Sequence, residues 1–386
     1  MYYASCFQMT GYSGQFMKRV FVLYFLLLGM SISVSAVQIK DLYVASVPVE
    51  SQDTSILSSS FRVALEKVLM KMSGSRASLE NRQIQKSLSR ASRFVQQYAF
   101  VENVSYDANA PIGPANSPYY LKVSFLEKAL LTLFAKSNEA IWGRNRPSVI
   151  VWAVYEKRGR RKIVSAGERN PIVSEAGKSA SQWGLPIFFP VMDMEDENAI
   201  SASDLWGGFV DPIVFASERY TPDLIAVLRI RKNSNRAWRG HWTLIQGQAA
   251  MGEVSAGLDE SANSRAGLVG NMMESLSAHI AARYAVSSGP NVTGNVVMNV
   301  SGVSTYKQYV ALIGYLSGLT PIKNTRVAGV MSDSVSLVLD IQGYIDKLEQ
   351  HLSLDSVLIP ELSSVGEPGD TLSINYRWNA SGKSEK

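Results

Sequence analysis

Hydrophobic residues along this chain fall into four kinds of run, and each predicts a different element. From Val20 to Met30 the sequence is apolar without a break, preceded by Met17-Lys18-Arg19 and followed by small residues ending Val34-Ser35-Ala36. Cations, a short apolar core and small residues at the −3 and −1 positions describe a cleavable secretory signal over residues 1–36, with Met17 the better start. The run is short of the ~20 apolar residues that span a bilayer, which favours cleavage over the alternative expectation, an uncleaved inner-membrane anchor. No later stretch approaches that length. In the second pattern, apolar residues recur at helical spacing. Leu57, Phe61, Ala64, Leu65, Val68, Leu69 and Met72 make one face of a helix over 55–72, with Gly74 at its stop. The third is continuous apolar strand, Ser148 to Tyr155 and Asp223 to Ile230, buried on both faces. The fourth alternates: Val296, Met298 and Val300, then Val335, Leu337, Leu339 and Ile341, then Leu372, Ile374, Tyr376 and Trp378.

In chain order these runs predict an α+β / α/β multidomain protein. Residues 37–146 form an N-terminal α+β module in the order strand, helix, helix, strand, strand, helix. Residues 147–286 form a central α/β sheet domain. Its elements are the strand 148–155, a helix over 173–182, a strand at 185–189, and a helix from a Ser203 or Asp204 cap to Tyr220. They continue with the strand 223–230, a hairpin pair 238–246 and 248–257 turning near Gly247, and a helix over 261–285. Ser287 to Pro290 is a linker. Residues 291–378 read as a ferredoxin-like βαββαβ domain, its first helix capped by Ser304, and 379–386 as a disordered tail. The polar face of that last sheet offers Asn299, Ser336, Asn375 and Arg377 without the aromatics that stack RNA bases.

Apolar content of 46% and charged content of 18% suit a globular chain. A net charge of +5 is compatible with an anionic membrane surface but too small to argue for nucleic acid. The single cysteine, Cys6, precedes the cleavage point. The mature chain is therefore expected to hold no disulfide, thiolate metal site or cysteine nucleophile, which suits the periplasm.

Catalytic signatures are thin. His241, His279 and His351 stand alone in their segments, and no Gly-x-Ser-x-Gly elbow occurs. Ser304 to Lys307 has Ser-x-x-Lys spacing without its partner motifs. Gly177-Lys178-Ser179 resembles the end of a phosphate loop, but Ile172 stands where a glycine is required. No cofactor or metal ligand set is expected. Three features stay as possible binding residues. Trp183 and Trp206 flank the acidic loop holding Asp193 and Glu195, with Asp204 near Trp206; the turn Lys157 to Lys162 carries Arg158, Arg160 and Arg161. The turn suits anionic head groups, and the acids suit a hydrolase or transferase acting on glycan.

Several segments resemble the DUF2066 family of proteobacterial proteins: Leu42 to Val49, Val68 to Gly74, Trp142 to Pro147, Gly184 to Pro190, Asp204 to Gly207, Arg219 to Asp223 and Trp238 to Trp242. Where the family reads Arg-Gly-Leu-Pro, this chain has Trp183-Gly184-Leu185-Pro186. The resemblance covers nearly the whole mature chain, and it implies no catalytic residues. By architecture, the first module is similar to periplasmic interaction modules of the POTRA type, and the central domain to α/β domains of envelope lipoproteins. The expectation is a non-enzymatic periplasmic binding or scaffold protein with an envelope protein partner. The alternatives are a carboxylate-dependent glycan enzyme and a binder of anionic lipid or polysaccharide.

Overall fold

The computed structural model describes residues 37–39, 41–113, 116–233, 237–247, 253–287, 293–354, 357–361 and 373–379. The expected signal segment, most of the expected linker and all but the first residue of the tail lie outside the described residues. The chain is mixed α/β and built as several sheets with separate apolar cores.

Strand β1 (Val37–Gln38) precedes β2 (Val44–Val49), α1 (Leu57–Ser73), α2 (Arg82–Leu88), β3 (Val95–Glu102), β4 (Tyr119–Phe125) and α3 (Glu127–Ser137). The sheet order β2-β4-β3 is antiparallel throughout. The stripe on α1 is buried as its spacing requires, from Phe61 to Met72. Gly74 ends the helix at φ 70°, donating to Met70 O at 2.8 Å. A Cβ there would collide with Ala281 and with the ring of Trp142, so the same glycine admits the close approach of the next unit.

The short strands β5 (Ala140–Ile141) and β6 (Asn145–Arg146) lead into β7 (Val149–Lys157), β8 (Arg160–Ile163), α4 (Pro171–Trp183) and β9 (Ile187–Phe188). Then come α5 (Met194–Ala199), α6 (Ala202–Gly207), α7 (Val210–Glu218), β10 (Leu224–Lys232), β11 (Trp238–Gln246), β12 (Val254–Ala262), α8 (Arg265–Tyr284) and β13 (Val286–Ser287). The sheet runs β12-β11-β10-β7-β8, with β9 also parallel to β7. Residues 149–154 are all buried because helices cover both faces. On one face α4 and α8 pack over Val149, Val151, Leu224, Ala226 and Leu228. On the other, α6 and α7 pack over Ile150, Trp152, Ile225 and Val227.

Here the structure corrects several boundaries. The single helix expected from Ser203 or Asp204 to Tyr220 is two helices: α6, capped by Ser201, stops at Gly208 (φ 73°), and α7 restarts at Val210. The acidic loop is the short helix α5, capped by Asp193. Of the strand expected over 248–257, residues 248–252 lie outside the described residues, and β12 begins at Val254. The long helix starts at Arg265 rather than at residue 261, because Ser264 supplies its cap.

The last unit contains β14 (Thr293–Ser301), α9 (Tyr306–Ser317), β15 (Ile322–Val330), β16 (Ser334–Gln342), α10 (Ile345–Leu352), β17 (Leu358–Glu361) and β18 (Ser373–Trp378). Thr305 rather than Ser304 caps α9, in a capping box with Gln308. The expected element order carries one further strand, β17. The sheet runs β15-β16-β14-β18-β17, and β18 lies parallel to β14. In a ferredoxin-like sheet each half is a split β-α-β unit, and the closing strand is antiparallel to the first; here β17 turns the chain once more and reverses β18.

Contacts join the units. β1 pairs with β6 and β5 pairs with β13. Arg146, fully buried, donates to the carbonyls of Lys71, Trp142, Gly143, Trp183 and Gly184 at 2.7–2.9 Å. Its guanidinium lies 3.9 Å from the Trp142 ring centre. Gly184 sits at φ 64°, where a Cβ would come within 2.7 Å of Arg146 Nη1. Among the described residues, no helix is long and apolar enough to cross a membrane.

Candidate functional site

The helices on the second face of the central sheet do not reach its far end. Side chains alternate along β10, so Arg229 and Arg231 continue the row begun by Ile225 and Val227. Cross-strand register extends that row. Arg229 lies opposite His241, which lies opposite Asp259; Arg231 lies opposite Arg239, which lies opposite Ser261. On the other side, Arg231 neighbours Glu156, and Glu156 neighbours Arg161. The uncovered end of this face is thus a strip of guanidinium groups. With Trp206 from α6 at its margin it lines a cleft of about 650 Å³.

The partners of each charge define the site. Arg161 stands 4.6 Å from the Trp206 ring centre and 3.7 Å from Glu156. Arg229 Nη1 donates to Trp206 O at 3.1 Å and Nη2 to Thr243 Oγ1 at 3.3 Å. Its Nε is buried with no partner among the described residues. Burial pushes the Arg229 guanidinium below its ordinary range, against the opposing pull of Asp259. Among the described residues, Arg229, Arg231 and Arg239 pair with no carboxylate. Two like charges directly opposite in an antiparallel pair, as at Arg231 and Arg239, repel. A bound anion removes that repulsion, and guanidinium forks match the oxygens of phosphate or carboxylate.

His241 Nδ1 meets Asp259 Oδ1 at 2.9 Å in the same cleft. Among the described residues no hydroxyl bonds the other ring nitrogen, so the pair lacks the nucleophile of a hydrolytic triad. No group of three or more His, Cys, Asp or Glu able to hold a metal occurs among the described residues.

The residues singled out from sequence separate. Trp206 and Arg161 are brought together at the cleft. Arg158 (φ 54°) and Gly159 (φ 76°) form the tight tip of the β7–β8 hairpin, where Arg158 and Arg160 are exposed and Arg160 faces Lys157 across the turn. Trp183 is 3% exposed at the end of α4, with the Arg76 guanidinium of the first module 5.8 Å from its ring centre, so it belongs to the packing between units. Asp204 is the third residue of the α6 capping box, bonded to Ser201 N and Oγ at 2.9 and 2.6 Å. Asp193 caps α5 and receives Arg219 at 2.6 and 2.9 Å, and the hydrogen bond from Arg219 holds its carboxyl down at about 2. Glu195 lies 3.5 Å from the same arginine. Buried Asp196 accepts from Tyr220 Oη at 2.5 Å and Met192 N at 2.8 Å. These acids do not converge with Trp206 on the cleft, whose lining acids are Asp259 and Glu260.

Sequence reading missed Arg229, Arg231, Arg239 and the His241–Asp259 pair. The available signal was Arg229-Ile230-Arg231, a period-two pair of cations ending an otherwise buried strand.

Against known families, the chain matches the model of a domain of unknown function, DUF8605, over residues 36–143. That finding overturns the resemblance to DUF2066. The segments from Gly184 to Trp242 that seemed to extend it lie beyond the matched region. No curated protein matches. Among solved structures, the chain is similar to formyltetrahydrofolate deformylase from Burkholderia mallei at 13% identity. The likeness covers 52% of this chain and 88% of that one with a TM-score of 0.14, which supports neither a shared fold nor a shared activity.

Proposed function

We propose that this chain is an exported, non-enzymatic binding protein of the bacterial envelope, and that the cleft beside Trp206 holds an anionic ligand. One observation carries the reading: Arg229, Arg231 and Arg239 share an uncovered sheet face without a carboxylate partner among the described residues. Structural arginines elsewhere in the chain are surrounded by acceptors, as Arg146 and Arg219 are. The export signal at residues 1–36 supports the periplasm as location. In this reading three α/β units, 37–146, 147–286 and 291–378, form a rigid frame, the last a reversed-strand variant of the ferredoxin-like plan. The frame presents the cleft to an envelope partner or an anionic membrane surface, and nucleic acid is not its ligand.

Pyrophosphate is a suitable probe, since it offers two anionic groups to neighbouring guanidinium forks. Titration calorimetry at low salt should give saturable binding. Charge reversal in an Arg231→Glu/Arg239→Glu protein should weaken it at least tenfold, and Arg160→Glu should leave it within twofold. Equal affinity in the double variant and the parent would sink the assignment. A tagged full-length chain recovered unprocessed in the cytosolic fraction would sink the location.

A further inference from the structure

The same end of the central sheet has a second cleft, on the opposite face. β7 and β10 run parallel and end at Lys157 and Lys232. The chain leaves β7 through the hairpin to β8 and then enters α4, whose first residues Pro171 and Ile172 lie beside these ends, and it leaves β10 toward β11. Ligands of open α/β sheets bind in crevices outside the carboxyl ends of parallel strands. The crevice measures about 780 Å³. Tyr155, Pro171, Ile172 and Trp238 supply an apolar floor, and Lys157, Arg158, Arg169 and Lys232 supply a cationic rim. Trp238 lies opposite Lys232 in register, on the face turned away from Arg229 and Arg231.

Charges around the crevice divide as they do in the first cleft. Arg265 is held by both oxygens of Glu175 at 3.0 Å, and Glu168 is held by Lys162 at 2.5 Å. The four rim cations have no carboxylate partner among the described residues. Lys232 Nζ stands 5.7 Å from the Trp238 ring centre. The start of α4 is already satisfied: Asn170 accepts from Ile172 N and Val173 N, and Pro171 has no N–H. Recognition of an anion therefore falls to the rim side chains.

We propose that this crevice is a second, independent binding site for a small amphiphile, an acidic head group on a flat apolar body. The cations take the head, and the Tyr155–Ile172–Trp238 floor takes the body. The full chain should be titrated with 8-anilinonaphthalene-1-sulfonate, followed by its fluorescence, and the probe displaced with 1-naphthyl phosphate, dodecyl phosphate and inorganic phosphate. Saturable 1:1 binding is expected. It should weaken at least tenfold in Arg169→Glu/Lys232→Glu and stay within twofold in Arg231→Glu/Arg239→Glu, which separates this site from the cleft beside Trp206. Naphthyl phosphate should displace the probe at concentrations at least tenfold below either competitor. Unchanged affinity in Arg169→Glu/Lys232→Glu overturns the site. Inorganic phosphate matching naphthyl phosphate overturns the apolar body, and dodecyl phosphate matching it overturns the flat one.

Discussion

Two groups of arginines in this chain are built on opposite terms. Arg146 is enclosed by five backbone carbonyls, and Arg219 is enclosed by Asp193, Glu195 and Asp196. Arg229, Arg231 and Arg239 sit side by side on an open sheet face, where Arg229 donates two hydrogen bonds to Trp206 O and Thr243 Oγ1. The first group holds elements in place: Arg146 joins α1, the Trp142 turn and the end of α4, and Arg219 joins α7 to the cap of α5. In the second group Arg229 ties α6 and β11 to β10 through Trp206 O and Thr243 Oγ1, while Arg231 and Arg239 join no elements among the described residues. A charge whose hydrogen-bonding capacity is filled by the fold is already committed, whereas clustered charges left to solvent are free to take a further partner.

The largest effect that sharpens this contrast is at Arg146. Burial pushes its guanidinium down to about 9, yet five carbonyls compensate the lost solvation. Arg146→Met keeps much of the stem and strands those acceptors in a dry joint. We expect a loss of about 4 kcal/mol in urea unfolding, the scale of a broken buried charged network. Arg146→Lys should recover little, because an ammonium has three donors and lacks the planar fork. A loss below about 1 kcal/mol would show that the joint does not depend on this residue.

The second test uses a buried titratable ring that lacks such enclosure. His351 on α10 is fully buried beside Tyr284 of α8. Its Nδ1 bonds Lys347 O at 2.8 Å, while Nε2 has no partner among the described residues. Lys347 bonds the carbonyls of Ala282 and Arg283 at the end of α8, so this contact docks the last unit on the central one. Burial pushes the ring down to about 4. Because the unfolded ring titrates near the ordinary ~6.5, the unfolded chain binds more protons between those values. Stability is full above that window and falls as pH drops through it, by up to about 3 kcal/mol. His351→Leu should flatten this part of the stability profile measured by denaturant unfolding from pH 7 to pH 4. An unchanged profile would mean the ring does not govern the acid response of this interface.

How much of this was visible beforehand varies with the physics of each element. The α1 stripe and the strand at 149–154 were legible because burial on one face or both writes a local pattern. The α6–α7 break was hidden because apolar residues continue across Gly207-Gly208, and the αL turn at Gly208 is a backbone event. Strand β17 escaped because it is four residues long and contains Pro360, which an edge strand tolerates and a sequence pattern penalises. Trp206 and Arg161 stood out as residue types. The arginine strip did not, because it exists only once β7, β8, β10, β11 and β12 are in register. Asp193 and Asp204 suggested chemistry as a cluster of acids, but helix starts also favour acids, and capping is where both are found.

The smallest expected effect tests the contrast most directly. Arg239 is exposed, faces Arg231 across the strand pair, and shares no carboxylate among the described residues. Its removal should therefore leave the folded chain no worse off. For Arg239→Gln we expect a change in unfolding free energy of less than about 0.5 kcal/mol, in the stabilising direction at low salt, because a cross-strand like-charge contact is lost. Added salt should shrink the difference, since exposed charges are screened within roughly 10 Å at 0.1 M. The same substitution should still weaken pyrophosphate binding. Stability and binding would then move in opposite directions at one residue, which an arginine kept for structure does not do. A destabilisation above about 1 kcal/mol would place Arg239 with Arg146 and remove the reason to assign the open face a ligand.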